Sequence, residues 1–510
     1  MNEMLDTTEL TIRDAKGRLI QRGMKGWLYW VCNIIETWER LAYYLLRPMA
    51  AIYICQADNP GGLHLKQEVK GFIFMWWFIL QSLLPMVTGG YADRYGYKKV
   101  LYLSVTMNIC GYLIMALFHT YIGFFLGVIV LATGTAFFKP GLQGTLAHLL
   151  TRKDSSLGWG TFYWIVNVGS LIGHWLSPII LITNSQEEWR ILFLTCAGFT
   201  ALNYIFLIFF FRDIPSGANK TENPYQTFKR TIANLFEPRL ITWLLIMSCF
   251  WLMMYQLWDL QPNYIEDWVD SSMVAEYAPE KWVEQEGPMG IPRVKQQVLL
   301  SLNAFLIVVG IVGVSWMVRK MRTLSAMLIG MLMAVSGILV AGLTGNGWFL
   351  LLGIIFFSLG EMLTGPKKNE YLGLIAPPGK KGLYLGYVNI PVGIGGAFGA
   401  LIAGKVYGSY GEKATLALKY LVEHAPMDAG LSWDGNADTL EQVTGIARTD
   451  AFEKLTQTLG VDGVEATRIL WETYSPQYHT WIPFASIGIV AAVALYIFGV
   501  MAKRWKDMNV

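Results

Sequence analysis

The chain has 510 residues, of which 54% are hydrophobic and only 15% are charged, and its formal net charge is +3. This balance excludes an intrinsically disordered protein and favours a polytopic membrane protein. The 40 lysines and arginines are dispersed along the sequence, so the chain offers no basic patch for nucleic acid. A charge at bilayer depth costs about 2.5–3.5 kcal/mol on insertion scales, and each charged residue inside an apolar segment therefore needs an explanation.

The N-terminal residues 1–26 precede a long apolar stretch without a small-residue cleavage site, so we interpret them as a cytoplasmic tail. They carry Arg13, Lys16, Arg18, Arg22 and Lys25. Apolar stretches of about 20 residues, the length of a helix that crosses a bilayer, then recur along the chain. They predict twelve spans, numbered in chain order: 27–55, 68–90, 98–118, 122–150, 158–184, 189–211, 239–269, 294–318, 322–344, 347–376, 381–410 and 480–502. The predicted fold class is an all-α membrane protein of twelve transmembrane helices in two six-helix halves.

The positions of lysine and arginine orient these spans, because cytoplasmic loops hold an excess of both. With the N-terminus inside, the predicted cytoplasmic loops contain Arg94, Lys98, Lys99, Arg152, Lys153, Arg212, Lys220, Lys229, Arg230, Arg319, Lys320, Arg322, Lys380, Lys381, Lys503, Arg504 and Lys506. The outer loops are acidic, since 267–293 has six Asp or Glu against two Lys or Arg, and 411–479 has eleven against five. We expect an integral protein of the cell (inner) membrane with both termini in the cytoplasm.

A proline- and glycine-containing break at 212–238 divides the spans six and six. The predicted units are an N-terminal bundle 27–211, the cytoplasmic linker 212–238, spans 7 to 11 in 239–410, an extracytoplasmic insert 411–479, and span 12 with a cytoplasmic tail in 480–510. Two six-helix halves around a central cavity are the architecture of many secondary transporters.

The insert 411–479 differs in character from the apolar spans. Charge and leucine alternate at helical spacing in Thr449–Leu459 and Asp462–Tyr474. Asp450 with Glu453, and Asp462 with Glu465, resemble capping boxes. We expect small amphipathic helices packed on the outer face.

Span 1 carries an unusual group of ionisable side chains. At 100° per residue, Glu36, Arg40, Tyr43 and Arg47 lie within about 60° of one another, and Glu39 lies beside them. Glu36 and Arg40 alone would form an ordinary intrahelical pair. Two carboxylates and two guanidinium groups exceed what such a pair requires and are tolerated only beside an aqueous cavity or partners. Since neighbouring carboxylates repel each other, the cluster is a site at which a proton can be loaded and released.

Between spans 2 and 3 lies the sequence Gly89-Gly-Tyr-Ala-Asp93-Arg94-Tyr-Gly96-Tyr-Lys98-Lys99. A glycine permits a tight helix exit, Asp93 can act on a neighbouring helix terminus, and the basic residues anchor the cytoplasmic side. The spacing of Gly89, Asp93, Arg94, Gly96 and Lys98 is specific enough to carry a family assignment.

Further polar groups are predicted at comparable depth in other spans. Lys139 lies near the middle of span 4 and needs a carboxylate partner there. Span 10 supplies Glu361, span 5 supplies Asn167 and span 8 supplies Asn303. This convergence predicts a central binding site, although each asparagine taken alone fits an interhelical hydrogen bond equally well.

Arg47 in the outer half of span 1 and Asp259 in the outer half of span 7 have opposite charges at matched depth. They fit an outer gate. The alternative is that Asp259 lies at the water interface, close to Glu266 and Asp267.

The motif beginning at Gly89 resembles the signature of the major facilitator superfamily. Span 1, with Glu36-x-x-Glu39-Arg40 before Tyr43-Tyr44, resembles the ExxER helix of the proton-dependent oligopeptide transporter (POT) family. Further matches are Phe138-Lys139-Pro140, Phe162-Tyr163, Asn167-Val168-Gly169, Phe250-Trp251, Gln256, Gln297, Asn303, Gly360-Glu361, Pro366 and Ala376-Pro377. The resemblance covers both halves of the chain.

The resemblance implies a proton-coupled symporter of di- and tripeptides or peptide-like zwitterions. It implies that Glu36, Glu39 and Arg40 take part in proton coupling. The implied substrate-binding residues are Arg40 and Lys139 for the peptide carboxylate, Glu361 with Asn167 and Asn303 for the amino group, and Tyr43 and Tyr44 in the pocket wall. A zwitterion needs cations at one end of a cavity and a carboxylate at the other, which agrees with these signs.

The chain also departs from the family pattern. Tyr255 stands where an acidic residue is usual, so Asp259 is the expected partner of Arg47. Leu45 replaces a common glycine, and Lys367 and Lys368 are unusual in span 10. The pocket tyrosine expected in span 2 has no clear counterpart, the 411–479 insert is not a recognised family feature, and 212–238 is too short for the two extra helices of many bacterial members.

Two other hypotheses stay open at this point. The same scaffold could carry a drug, an organic anion or a sugar conjugate, or the chain could be a non-transporting receptor that uses its acidic insert for docking. An enzyme is not expected, because the sequence has no nucleophile motif, no phosphate-binding loop and no metal-ligand spacing among its histidines and cysteines. We expect no cofactor and no metal, with the proton gradient as the driving force. The expected partners are a small-molecule substrate, protons and membrane lipid but not nucleic acid, and the functional unit is expected to be a monomer.

Overall fold

The computed structural model describes residues 10–151, 154–215, 232–233, 235–285, 287, 289–318, 321–376, 384, 386–424 and 433–504, and the structural statements below refer to these residues. Most of the predicted linker 212–238 lies outside them, as do residues 1–9 of the tail and 425–432 of the insert. Several basic residues used to orient the spans also lie outside the described residues: Arg152, Lys153, Lys220, Lys229, Arg230, Arg319, Lys320, Lys380, Lys381 and Lys506. The same holds for the side chains of Lys503 and Arg504, and for Pro377 of the family resemblance.

Helices occupy all twelve predicted spans, which confirms the all-α fold class. Their bounds are Trp27–Leu46 with Ala50–Cys55, Gln67–Phe78 with Pro85–Tyr95, Tyr97–Leu117, Tyr121–Leu149, Ser155–Ile180, Gln186–Ile205, Pro238–Met254 with Gln256–Asp259 and Gln261–Trp268, Gln296–Val318, Thr323–Gly342, Gly347–Ile375, Ile390–Tyr410, and Pro476–Arg504. Within the described part of the chain, nine helices, or ten with the bent pair of span 2, are long and apolar enough to cross a membrane. Span 1 is not in that group because its 20 residues include Glu36, Glu39 and Arg40.

Span 2 differs from the single helix predicted over 68–90. A π-helical turn at Ile79–Leu83 and a new helix beginning at Pro85 bend the span by 41°. Proline lacks the N–H that would continue the helical hydrogen bonds, so the helix bends at Pro85. The second helix runs on to Tyr95, which puts most of the Gly89 to Lys99 motif on helices instead of in a loop. Only Gly96, with φ of +97°, separates spans 2 and 3, a conformation that favours glycine.

Small residues let neighbouring helices pack backbone to backbone in the C-terminal half. A Cβ atom on Gly353 of span 10 would lie 2.4 Å from the amide nitrogen of Ala341 and 2.6 Å from the carbonyl oxygen of Gly337 in span 9. Such close approach is how membrane helices gain van der Waals contact in the absence of a hydrophobic drive.

We expect Gly353→Val to separate spans 9 and 10 and to lower stability by about 1–3 kcal/mol or more, as overpacking does in other tight contacts. The readout is the thermal midpoint and the monodispersity of the purified protein in detergent. Gly313→Val is the matched control, because a Cβ atom at Gly313 meets nothing within 4 Å. Equal midpoints for the two variants would contradict this packing.

The N-terminal tail contains a short hairpin that the sequence did not reveal. Thr11–Arg13 pairs antiparallel with Leu19–Gln21. The guanidinium of Arg22 donates to the carbonyls of His148 and Leu150 at 3.1 and 3.2 Å, and the Gly23 amide donates to Leu149. The tail is therefore attached to the end of span 4. Three-residue strands carry too little periodicity to be predicted.

The insert contains the helices Lys413–Glu423, Leu440–Thr444, Ala451–Leu459 and Gly463–Tyr474. The predicted cap at Asp462 is present, because its carboxylate accepts the Glu465 amide at 2.8 Å. The predicted cap at Asp450 is wrong: no side-chain cap hydrogen bond forms there. Asp450 ends a 3₁₀ turn and accepts the Thr449 hydroxyl instead.

Candidate functional site: a charged central cavity and an outer seal

Three charged side chains of span 1 form a compact buried cluster. Arg40 Nε lies 3.3 Å from Glu36 Oε1, one turn earlier, and the guanidinium also pairs with Glu39. All three are at most 6% exposed. Glycine lets span 5 approach this face, because a Cβ atom on Gly169 would lie 3.1 Å from the Arg40 Cβ. The arginine is thus shared by two carboxylates, an arrangement in which a proton on one of them changes how strongly Arg40 is held.

Lys139 faces this cluster from span 4. It is half-buried and interacts electrostatically with Glu36, Glu39 and Arg40. No carboxylate of the described residues lies within 4.0 Å of its ammonium. The partner that the sequence requires is therefore the span 1 cluster at longer range, and the Lys139 ammonium keeps its donors available for a ligand.

Glu361 is held by span 8 as well as by its own helix. Asn303 Nδ2 lies 2.9 Å from Glu361 Oε2 and 3.0 Å from Ser358 Oγ. Tyr44 and Tyr163 interact electrostatically with Glu361 from the N-terminal half. The structure thus joins Asn303 to Glu361 and places both opposite the residues of spans 1 and 5.

The other predicted pocket residues divide into two groups. Tyr43 donates its hydroxyl to Gln81 at 3.1 Å and lies under the Arg40 guanidinium at 4.9 Å. Tyr44 packs edge-on against Tyr43, with ring centroids 5.2 Å apart. Asn167, by contrast, donates to the Tyr163 carbonyl of its own helix at 2.9 Å. This bond lies within one helix, so it is neither the predicted contact with Glu361 nor the interhelical hydrogen bond of the alternative.

Lys368 lies on the Glu361 face of span 10, where the sequence marks it only as unusual for the family. Its ammonium lies 4.2 Å from the centroid of the Trp251 ring of span 7. It interacts electrostatically with Glu361 and with Lys139 across the two halves. The neighbouring Lys367 instead pairs with Glu370 at 2.8 Å.

At the ends that the sequence predicts to face outward, the two halves are joined by buried polar contacts. Arg47 of span 1 pairs with Asp259 of span 7, and their side chains are 5% and 1% exposed. The predicted pairing is thus present, and the interface alternative for Asp259 is wrong because insertion between the halves buries it. The Arg47 guanidinium also lies 4.3 Å from the Phe74 ring centroid. A role of the pair as a gate stays a prediction.

Lys70 is a second buried cation at this seal that the sequence reading missed. Its ammonium donates to Asn263 Oδ1 at 2.8 Å and to the Asp259 carbonyl at 3.1 Å. Gln56 adds a bond to Asp267 at 2.8 Å. Lys70 follows Gln67 and Glu68 in the first turn of span 2, so the local sequence resembles an ordinary polar helix end and carried no distinct signal.

The insert reaches across the seal to the N-terminal half. Arg448 Nη2 lies 2.7 Å from Glu412 and 3.1 Å from the Cys55 carbonyl. Glu412 also accepts Gln67 of span 2 at 3.0 Å. Burial alone would lower the pKa of Arg448 by disfavouring its charge. The neighbouring Glu412 carboxylate favours the charged guanidinium more strongly, so the pKa of Arg448 is raised. The insert therefore links the two halves on this side of the protein.

The motif residues after span 2 cluster at the opposite end. Asp93 accepts the Tyr97 hydroxyl at 2.9 Å, and the Lys98 amide donates to Asp213 at 3.1 Å. Arg94 lies over the ring of Tyr95. Asp213 follows span 6 and closes the first turn of span 3, a partner that the local motif could not reveal. Gly89 has open space at its Cβ position, so close packing does not require glycine there.

Among the residues that the structure describes, no group of three or more His, Cys, Asp or Glu could hold a metal ion. The five cysteines are free thiols.

Residues 39–400 match the family model of the Major Facilitator Superfamily, and the chain therefore belongs to this superfamily of membrane transporters. Within it, the curated relatives include a di-/tripeptide transporter of Lactococcus lactis subsp. lactis, 28% identical over 206 residues, which are 38% of this chain and 40% of that protein. The peptide transporter YePEPT of Yersinia enterocolitica is 27% identical over 29% of this chain and 30% of its own length. The chain thus aligns with less than half of the length of these relatives.

Solved structures share the whole fold. A POT family transporter in complex with a thioalcohol-conjugated peptide superposes with a TM-score of 0.66 at 15% identity, covering 94% of this chain and 97% of that one. The nucleoside transporter NupG superposes with a TM-score of 0.63 at 12% identity, covering 92% and 98%. At these identities the likeness establishes the fold alone. This shared fold agrees with the superfamily assignment.

Proposed function

We propose that the chain is a proton-coupled symporter of di- and tripeptides or peptide-like zwitterions that works by alternating access of its two halves. One observation carries the proposal: Arg40 is shared by Glu36 and Glu39 in span 1, while Lys139 beside it and Glu361 across the cavity present opposite charges. Peptide transport by the Lactococcus relative supports the substrate class.

The coupling step follows from the geometry of span 1. A proton that enters on Glu36 or Glu39 removes one negative charge and weakens the hold on Arg40. The freed guanidinium, with Lys139, then binds the peptide carboxylate, while Glu361 and Asn303 bind the amino group. Proton and peptide thus stabilise the same loaded state. Both enter the cell when the contacts on the inner side break and those on the outer side form. No cofactor takes part, and the proton gradient supplies the driving force.

We propose the cell (inner) membrane as the location, with both termini in the cytoplasm and the monomer as the working unit. The basic residues assigned to the cytoplasmic loops and the acidic 411–479 insert support this orientation. Lipid is then the surrounding solvent, and nucleic acid has no role.

A non-peptide substrate on the same scaffold is the second candidate. The multidrug resistance protein MdtH of Cronobacter sakazakii is 21% identical over 63% of this chain and 73% of that protein, which favours this alternative. Thermal-shift screening of peptides against other metabolites separates the two, because a ligand stabilises by RT ln(1 + [L]/Kd).

The two ends of the proposed site are tested by Lys139→Ala and Glu361→Gln. We expect each change to lower proton-driven uptake of labelled dialanine into proteoliposomes by about 10- to 100-fold, since a hydrogen bond to a charged group contributes about 1.5–3 kcal/mol. Lys419→Ala and Glu423→Gln, which break a pair in the insert, are the matched controls with expected uptake near the original. Driven uptake retained in both site variants would overturn the assignment of the site.

A further inference from the structure

Two half-buried cations from opposite halves lie near each other, and neither forms an ion pair with a carboxylate of the described residues. Lys139 in span 4 and Lys368 in span 10 interact electrostatically with each other, and like charges repel. Neither ammonium lies within 4.0 Å of a carboxylate belonging to the described residues. Lys368 is seven residues after Glu361, so both lie on one helix face about 10 Å apart along the axis.

An ion pair with a carboxylate of its own helix does not explain the position of Lys368. Lys367, next in sequence, already pairs with Glu370 at 2.8 Å. Lys368 turns the other way, with its ammonium 4.2 Å from the Trp251 ring centroid. A cation–π contact contributes about 0.5–2 kcal/mol. This contribution is smaller than the cost of desolvating a buried charge. A bound anion would supply the remaining stabilisation.

The charge balance of the cavity indicates which anion fits. Its positive groups are Arg40, Lys139 and Lys368, and its negative groups are Glu36, Glu39 and Glu361. Three positive and three negative charges sum to zero, so one coupling proton leaves the cavity at +1. A zwitterionic peptide keeps that excess, whereas a peptide with one extra negative charge cancels it. Without Lys368, these groups would have a net charge of zero after the coupling proton binds, and a zwitterionic peptide would leave them neutral.

We propose that this transporter selects short peptides with an acidic side chain, whose additional carboxylate binds at Lys368 on the side that faces Lys139. The inference rests on the proposed function and names the substrate class of that same site. The extra carboxylate relieves the repulsion between the two lysines and joins the two halves. Lys368 is then the residue that determines specificity, and the peptide termini keep the positions given above.

The test measures uptake of labelled dialanine, alanyl-glutamate and alanyl-lysine into proteoliposomes under one inward proton gradient, with binding followed in parallel by thermal shift in detergent. For the unaltered protein we expect alanyl-glutamate to be preferred over dialanine by about tenfold, the effect of one charge-assisted hydrogen bond, and alanyl-lysine to be the poorest. Lys368→Gln should remove the preference, Lys368→Arg should keep it, and Lys367→Gln should leave it unchanged.

The selectivity of the unaltered protein needs no variant, so misfolding of Lys368→Gln does not block the test. Peptide uptake that ignores side-chain charge, or the same preference in Lys368→Gln as in the unaltered protein, overturns the inference while leaving peptide symport intact. No binding and no uptake of any of the three peptides would instead refute the proposed function and this inference together.

Discussion

We expect Glu36→Gln to lower the accumulation of peptide driven by a proton gradient by at least about tenfold, while exchange of peptide across vesicles without a gradient persists. Glutamine keeps the shape of the side chain but cannot ionise, so the cluster around Arg40 loses the carboxylate on which a proton is taken up and released. Arg40 then pairs with Glu39 alone, and its attraction to the substrate no longer depends on protonation. The measurement compares driven uptake with counterflow in the same proteoliposomes.

Glu36→Asp keeps an ionisable group and is expected to retain part of the driven uptake. Glu465→Gln, in an exposed pair with Arg468 on the insert, is the matched control and should behave as the unaltered protein. Equal losses of driven uptake and counterflow in Glu36→Gln would contradict a coupling role and indicate a binding or folding defect.

We expect Asp259→Asn to open the seal that joins the two halves at Arg47. The change leaves Arg47 buried without its partner, and loss of one member of a buried pair costs about 3–5 kcal/mol, which shifts the population of the closed form by about 100-fold or more. Cys55 reports this opening, because its buried thiol lies 3.7 Å from Asn263 at the same seal. In a variant that keeps Cys55 as its only cysteine, we expect a membrane-impermeant maleimide to label it slowly, and much faster after Asp259→Asn.

The reciprocal exchange Arg47→Asp with Asp259→Arg restores opposite charges and should slow labelling again. Asp438→Asn breaks an exposed pair with Lys66 across the same two halves and serves as the control, since exposed pairs contribute about 0–1 kcal/mol. Labelling of Cys55 that is indifferent to Asp259→Asn would show that the pair does not hold the outer side closed.

Most of the predictions from the sequence rest on helical periodicity and on the free-energy cost of burying a charge. The twelve spans are visible because apolar stretches of bilayer length recur, and the Glu36, Glu39 and Arg40 face follows from the 100° helical repeat. The Arg47 and Asp259 pairing was predictable because two opposite charges at one depth in apolar helices need each other. These features depend only on local sequence and on the bilayer.

Features that depend on distant segments could not be read in this way. Asp213 closes the first turn of span 3 from the far end of span 6, and Arg448 reaches Cys55 from the insert. Asp450 fits the local pattern of a cap. In the structure it is the last residue of a 3₁₀ turn, and its side chain makes no cap hydrogen bond. Such contacts are decided by tertiary packing, which local pattern does not encode.

The direction in which Lys368 points illustrates the same limit. Two adjacent lysines, Lys367 and Lys368, are equivalent in sequence, but one pairs with Glu370 and the other lies against the Trp251 ring. Only the position of Trp251 on span 7 distinguishes them. The inferred specificity of the transporter therefore depends on a contact between two helices that are more than a hundred residues apart.

Proton flux measured during peptide addition tests the central claim most directly. Proteoliposomes containing the protein and a trapped pH-sensitive dye receive dialanine or alanyl-glutamate under a negative-inside potential, with protein-free vesicles as the blank. Proton-coupled symport predicts acidification of the lumen that begins with peptide addition, saturates with peptide concentration and disappears in Glu36→Gln. Peptide entry without acidification, or no entry of any short peptide, would contradict it.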